Sequence, residues 1–197
     1  IKQSNFLIKN FNTLQNEANK IISNKNLLVG TIDSWLLWKL TGGAVFATDT
    51  TNASRTMLFN IKDMQWDNEL LDIFGVSEYN LPEVLPSSGY FGATSSAAPC
   101  GAGVPITGIA GDQQASLFGQ AAFSEGDAKN TYGTGSFILM NVGDECPEPV
   151  DGLLSTVAWT LENGGEPYTT YALEGSIFVT GAAVQWLRDG LGIIEKA

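Results

Sequence analysis

Two stretches of this chain carry residue types that could do chemistry. The first is Gly108-Ile109-Ala110-Gly111-Asp112-Gln113-Gln114, where an apolar run ends in one carboxylate and two amides at a place suited to a helix start. The second, Asn130-Thr131-Tyr132-Gly133-Thr134-Gly135-Ser136-Phe137, sets a threonine between two glycines and between two strand-like runs. A carboxylate at a helix N-terminus is favoured in its charged form. Asp112 could therefore accept a hydrogen bond from a hydroxyl and orient that oxygen for in-line attack on a phosphoryl group, a reaction in which positioning counts for more than strong basicity. Gln113 offers two donors and an acceptor to further hydroxyls. Gly133-Thr134-Gly135 lets backbone approach a phosphate with no side chain in the way. Each residue also has an ordinary reading. Asp112 is then an N-cap, Gln113 a solvated first-turn residue, Gly133-Thr134-Gly135 a hairpin turn, and Phe137 core.

Composition narrows the chemistry. The histidine count is 0, so acid–base work falls to carboxylates, Lys, Tyr or Cys, and no Ser-His-Asp system is available. A length of 197 residues allows one large or two small domains, and 44% hydrophobic content is enough for a real core. The net charge of −11 argues against nucleic acid or an anionic membrane as partner. It does not exclude ATP, whose phosphates can be held by backbone N–H groups and a metal. Neither a Walker A pattern nor the dinucleotide glycine fingerprint is present. The apolar runs are too short to span a bilayer, and no signal-peptide pattern opens the chain. Cys100 and Cys146 read as free thiols in a reducing compartment, which places the protein in the cytoplasm. The chain lacks an initiating Met and stops just after a helical pattern, so an internal segment of a longer protein is expected.

The elements that must position these residues follow from periodicity and punctuation. Asn5 to Ser23 has helical spacing, and Leu27-Leu28-Val29 reads as a short strand or a helix start. A helix opens at Thr31 and is stopped by Gly42-Gly43; Ala44 to Thr48 is a strand. Asp67 to Gly75 is a short helix with acid at its start and glycine at its end. Loops surround a strand near Gly89 to Thr94. Val104 to Ala110 reads as a buried strand with an edge proline, and Gln113 to Gln120 as a helix capped by Asp112. Beyond a linker at Phe123-Ser124-Glu125-Gly126, strands are expected at Ala128–Tyr132, Phe137–Val142, Thr156–Thr160 and Tyr168–Leu173, then a helix from about Ile177 to Leu191. The mixture implies an α/β or α+β fold.

The wording of five segments resembles the glycerol branch of the FGGY carbohydrate kinase family. They are Gly30 to Leu36, Thr51 to Asn60, Gly108 to Gln120, Lys129 to Phe137, and Leu173-Glu174-Gly175 through Gln185 to Asp189. The resemblance implies the actin-like ATPase fold, an α/β arrangement of two ribonuclease-H-like domains. Residues 1–122 would then be the last part of the substrate domain, and 123–197 the first part of the nucleotide domain. By resemblance Asp112 is the catalytic base toward glycerol, Gln113 binds its hydroxyls, and Phe137 packs on its carbons. Gly133 and Thr134 would contact ATP phosphates, Gly181 and Gln185 would belong to the nucleotide site, and Mg2+ would accompany ATP. Other parts of the family's site lie outside this segment, so the piece alone is expected to be inactive. A kinase for another polyol or ketose, and a non-catalytic actin-like nucleotide-binding module, are the alternatives. Homo-oligomerisation of a longer protein is left open.

Overall fold

The computed structural model describes residues 27–196, so the helix expected at Asn5 to Ser23 lies outside the described residues. Leu27 to Gly30 forms neither strand nor helix, although Val29 N–H donates to Asn80 O at 2.7 Å. Helix α1 (Ile32–Leu40) carries Asp33 in its first turn and Lys39 in its last, matching the helix dipole. Gly42, with φ of 68°, then takes the left-handed conformation that ends it. Strand β1 (Ala47–Asp49) runs straight into the single turn α2 (Thr50–Ala53). The small hairpin β2 (Phe59–Asn60) and β3 (Gln65–Trp66) precedes α3 (Asn68–Phe74). Asp67 caps α3 by accepting from Glu69 and Leu70 N–H, and Gly75 closes it at φ 67°.

Strand β4 (Glu83–Leu85) lies parallel to β1, while β5 (Ser88–Ala93) pairs antiparallel with β6 (Pro105–Gly108). Leu37, Ala47 and Phe91 form one small core between α1 and these strands. The expectation of a buried strand at Val104 to Ala110 is corrected: β6 is short and mostly exposed, because β5 is its one strand partner among the described residues. Helix α4 (Asp112–Gly119) follows. The rest is one antiparallel sheet, in the order β7-β8-β10-β9, made of β7 (Ala128–Tyr132), β8 (Ser136–Asn141), β9 (Leu154–Asn163) and β10 (Glu166–Ile177). The last helix, α5 (Gly181–Asp189), starts later than its amphipathic pattern suggested. Ile177 is still paired with Ser136, and the sheet holds it until the chain turns.

A second core joins α4 to this sheet: Leu117 and Ala122 pack with Leu139, Ala158, Trp159 and Ala172. Hydroxyls complete the junction between the two halves. Thr50 Oγ1 donates to Thr160 Oγ1 at 2.9 Å, and Thr160 N–H donates to Ser87 Oγ at 3.2 Å. Among the described residues no helix is long and apolar enough to cross a membrane.

Candidate functional site

Asp112 is the first residue of α4, and Gly111 is the N-cap, so the reading of Asp112 as the cap is off by one residue. The reason is a contact distant in sequence. Gly111 N–H donates to Thr51 Oγ1 at 2.8 Å, and Thr51 Oγ1 in turn donates to the Asp49 carboxylate at 2.8 Å. Asp49 is wholly buried and accepts further hydrogen bonds from Thr51 N–H, Asn52 N–H, Asn52 Nδ2 and Ser87 Oγ. It therefore caps α2 and, through Thr51, fixes the start of α4. A Cβ on Gly111 would stand 2.7 Å from Gln114 Oε1, so a larger residue here would have to shift that amide. Replacing Asp49 by Ala leaves those buried donors without their acceptor. Urea unfolding of the full-length protein followed by tryptophan fluorescence is expected to show a loss of about 3 kcal/mol.

The two glutamines after Asp112 separate in role. Gln114 is buried, and its Nε2 donates to Thr156 Oγ1 and Val157 O, both at 3.3 Å, tying α4 to β9. Gln113 turns back to Asp112. Its backbone N–H donates to Asp112 Oδ1 at 2.8 Å, and its side-chain Nε2 donates to Asp112 Oδ2 at 3.3 Å. Asp112 itself is exposed.

Lys129 of β7 draws this corner together. Its ammonium donates to Gln113 Oε1, to Thr131 Oγ1 at 2.8 Å and to Phe137 O at 3.5 Å. It is 2% exposed, an uncommon state for a lysine. Burial pushes its pKa below the ordinary lysine value, while the nearby charges of Glu174 and Asp112 pull it back up. Lys129, Leu139 and Glu174 face one another across β7, β8 and β10, and all three are buried. Glu174 accepts from Arg55 Nη2 at 2.9 Å through Oε1. The role of this lysine was missed in the sequence, where a Lys in a short strand reads as a solvent-facing residue. The available signal is its i, i+2 relation to Thr131, which puts both on one face of β7.

Phe137 is not core: it is 39% exposed on β8, two residues beyond the turn that joins β7 to β8. That turn, Gly133-Thr134-Gly135, is a hairpin turn and also a docking element. Gly133 O and Thr134 O accept from Gly181 N–H at 3.0 Å and Ala182 N–H at 3.1 Å, so the turn sits on the start of α5. Neither of its glycines has a positive φ, and it is Gly135 that close approach requires. A Cβ on Gly135 would stand 2.5 Å from Ile177 O, and one on Gly181 would collide with Gly133 O. The N–H groups of Thr134 and Gly135 have no backbone partner among the described residues. Two successive free N–H groups are a ready anion contact. The structure thus gathers Asp112, Gln113 and Phe137 around Lys129, and gathers Gly133, Thr134 and Gly181 at the hairpin tip. Gln185 is exposed one turn further along α5.

A cavity of about 340 Å³ lies elsewhere, between α4 and β9 among Ile109, Phe118, Trp159 and Leu161. It touches none of Asp112, Gln113 or Phe137. Among the described residues no cluster of three His, Cys, Asp or Glu side chains could hold a metal.

Comparison with known proteins gives the family and the fold. Residues 6–119 match the N-terminal domain of the FGGY family of carbohydrate kinases. A glycerol kinase of Carboxydothermus hydrogenoformans is 58% identical over 171 residues, covering 87% of this chain and 33% of that protein. The crystal structure of Plasmodium falciparum glycerol kinase with ADP matches with a TM-score of 0.78 and 41% identity, over 86% of this chain and 33% of that one. Gluconate kinase from Lactobacillus acidophilus matches with a TM-score of 0.70 at 23% identity, over 84% of this chain and 32% of that one, a likeness of fold alone. The chain spans about a third of the length of the curated relatives it matches. Its fold is that of the actin-like FGGY sugar kinases, and the chain belongs to the FGGY family of carbohydrate kinases.

Proposed function

We propose that this chain is the central part of an ATP-dependent glycerol kinase, with residues 1–122 completing the substrate domain and 123–197 beginning the nucleotide domain. The observation that carries the reading is the corner where Asp112 and Gln113 of α4 meet, through Lys129, the hairpin that bears Phe137 and a bare glycine turn. Asp112 takes the proton from the terminal hydroxyl of glycerol. Gln113 donates to a hydroxyl from the same amide that faces Asp112. Phe137, half out of the sheet, offers an apolar surface to the carbon skeleton. Identity of 58% to a protein named glycerol kinase, against 23% to a gluconate kinase, favours glycerol over larger polyols.

The turn fits a nucleotide phosphate. It is free of side-chain bulk at Gly133 and Gly135, and the unpaired N–H groups of Thr134 and Gly135 supply donors. Thr134, Gly133, Gly181 and Gln185 are the residues that would hold it, and ATP would supply the phosphoryl group. Mg2+ binds proteins through few side chains and several phosphate oxygens, so an ion accompanying ATP would need no three-ligand cluster of side chains. The unpaired cysteines Cys100 and Cys146 fit a reducing compartment such as the cytoplasm. On this reading other parts of the active site lie outside this segment, and residues 1–197 alone should be inactive.

The test is coupled ADP release by the full-length protein with glycerol, D-xylulose and gluconate. Glycerol-dependent turnover is expected. Preference for the ketose or the sugar acid would overturn the substrate, and nucleotide binding without turnover on any of them would move the protein to a non-catalytic role.

A further inference from the structure

We propose that Lys129 is a positioning residue that fixes the amide of Gln113 in the one orientation able to serve Asp112 and the substrate hydroxyl. The inference rests on the glycerol kinase reading and deepens it. An amide side chain has an oxygen at one corner and an NH2 at the other, of nearly equal size, and its surroundings decide which way it faces. An ammonium has three donors and no acceptor, so only the amide oxygen can face it. Lys129 contacts Gln113 Oε1 and spends its other donors on Thr131 Oγ1 and Phe137 O. The NH2 of Gln113 is left pointing to Asp112 Oδ2, while Gln113 N–H holds Asp112 Oδ1. Both carboxylate oxygens are thereby anchored through one residue whose orientation the lysine dictates.

The burial of Lys129 is more than incidental packing. Burying an ammonium is costly, and among the described residues Lys129 makes no direct hydrogen bond to a carboxylate. The compensating negative charges are those of Glu174, across Leu139 on the same face of the sheet, and of Asp112, beyond Gln113. Glu174 Oε2 is buried without a hydrogen-bond partner among the described residues, so that carboxylate is held back from the lysine rather than paired with it. The ammonium is left to the amide. An apolar residue of similar volume would fill the space without this cost, but it would leave Gln113 free to flip.

The experiment is steady-state kinetics of the full-length protein, varying glycerol at saturating ATP and then ATP at saturating glycerol. The variants are Lys129→Arg, Lys129→Gln, Gln113→Ala and the double variant Gln113→Ala/Lys129→Gln. Lys129→Arg keeps a donor-only head and should retain most activity. Lys129→Gln can present either an acceptor or a donor, no longer dictates how Gln113 faces, and should lose about 100-fold in kcat/KM for glycerol. The KM for ATP should stay within about twofold of wild type, since a merely structural loss would move both substrates. In the Gln113→Ala background, Lys129→Gln should add almost nothing, because the group it positions is gone. Unchanged glycerol kinetics in a folded Lys129→Gln protein would overturn the proposal, as would an equal loss in the Gln113→Ala background. If Lys129→Gln does not fold, Gln113→Glu serves instead. It keeps an oxygen toward the ammonium and offers Asp112 Oδ2 no side-chain N–H, so full glycerol activity in that variant would overturn the idea. Failure of the glycerol kinase reading itself is separate: the wild-type protein would then turn over no glycerol at all.

Discussion

Asp112→Asn is expected to lower glycerol phosphorylation by the full-length protein about 10³-fold while leaving its fold in place. The two halves of this expectation rest on different facts. The fold is indifferent because Asp112 is exposed, and its hydrogen bonds come from Gln113, its neighbour in α4. Asn keeps an oxygen that can accept the Gln113 N–H. The change in stability should therefore be within about 0.5 kcal/mol. The chemistry is not indifferent. An amide cannot take the proton that the hydroxyl must lose, and one of its two acceptor oxygens has become a donor. That NH2 would also face the NH2 of Gln113, which Lys129 holds in place. Coupled ADP release and a thermal melt on the same preparation check both halves. A folded Asp112→Asn protein with activity within about tenfold of wild type would remove Asp112 from the role of base.

The second large effect is expected at the hairpin tip. In Gly135→Ala the new methyl would meet Ile177 O at 2.5 Å and Phe178 O at 3.1 Å, both backbone atoms that cannot rotate aside. The turn must lift from the end of β10, and with it the contacts of Gly133 O and Thr134 O to α5. A displacement near 1 Å at a reacting group costs about 100-fold in rate, so kcat/KM for ATP should fall by about that factor. Gly119→Ala is the matched control. Gly119 lies in α4 with no atom within 4 Å of the added methyl, so stability should be unchanged or raised by up to about 1 kcal/mol. Nucleotide kinetics of the two variants, measured side by side, separate a collision at one turn from the general effect of replacing a glycine. Equal and small effects in both would show that the turn does not position the nucleotide.

The readable parts of the fold were those in which local rules and tertiary context agree. Strand β7 was read at its observed ends because the linker ending at Gly126 and the glycine turn starting at Gly133 bound it. The cap at Asp67 and the stop at Gly75 were legible because both act within one turn of backbone. The candidate site was legible as a set of residue types, since a carboxylate, an amide and a glycine turn announce themselves. Its organisation was not. Gly111, not Asp112, is the cap because Thr51 reaches it from 60 residues away, and no local window contains that contact. Lys129 is buried because α4 covers its face of the sheet, whereas lysines in short strands ordinarily face water. Its neighbour Glu174 meets Arg55 across 119 residues of chain. The start of α5 was placed too early for a similar reason. The pattern of Phe178, Ala182 and Trp186 is helical, but pairing with Ser136 holds Ile177 in the sheet.

The β7–β8 hairpin carries the bare turn at its tip and Phe137 two residues along the same strand. A strand advances about 3.4 Å per residue, so these two points are about 7 Å apart along the backbone. That interval is a ruler made of covalent bonds and ladder hydrogen bonds. Any motion that carries the hairpin as one piece transports both marks together and leaves the spacing between them untouched. Under the proposed glycerol kinase reading, a movement of the hairpin as one piece would change whether the two substrates meet without altering the gauge against which they are aligned.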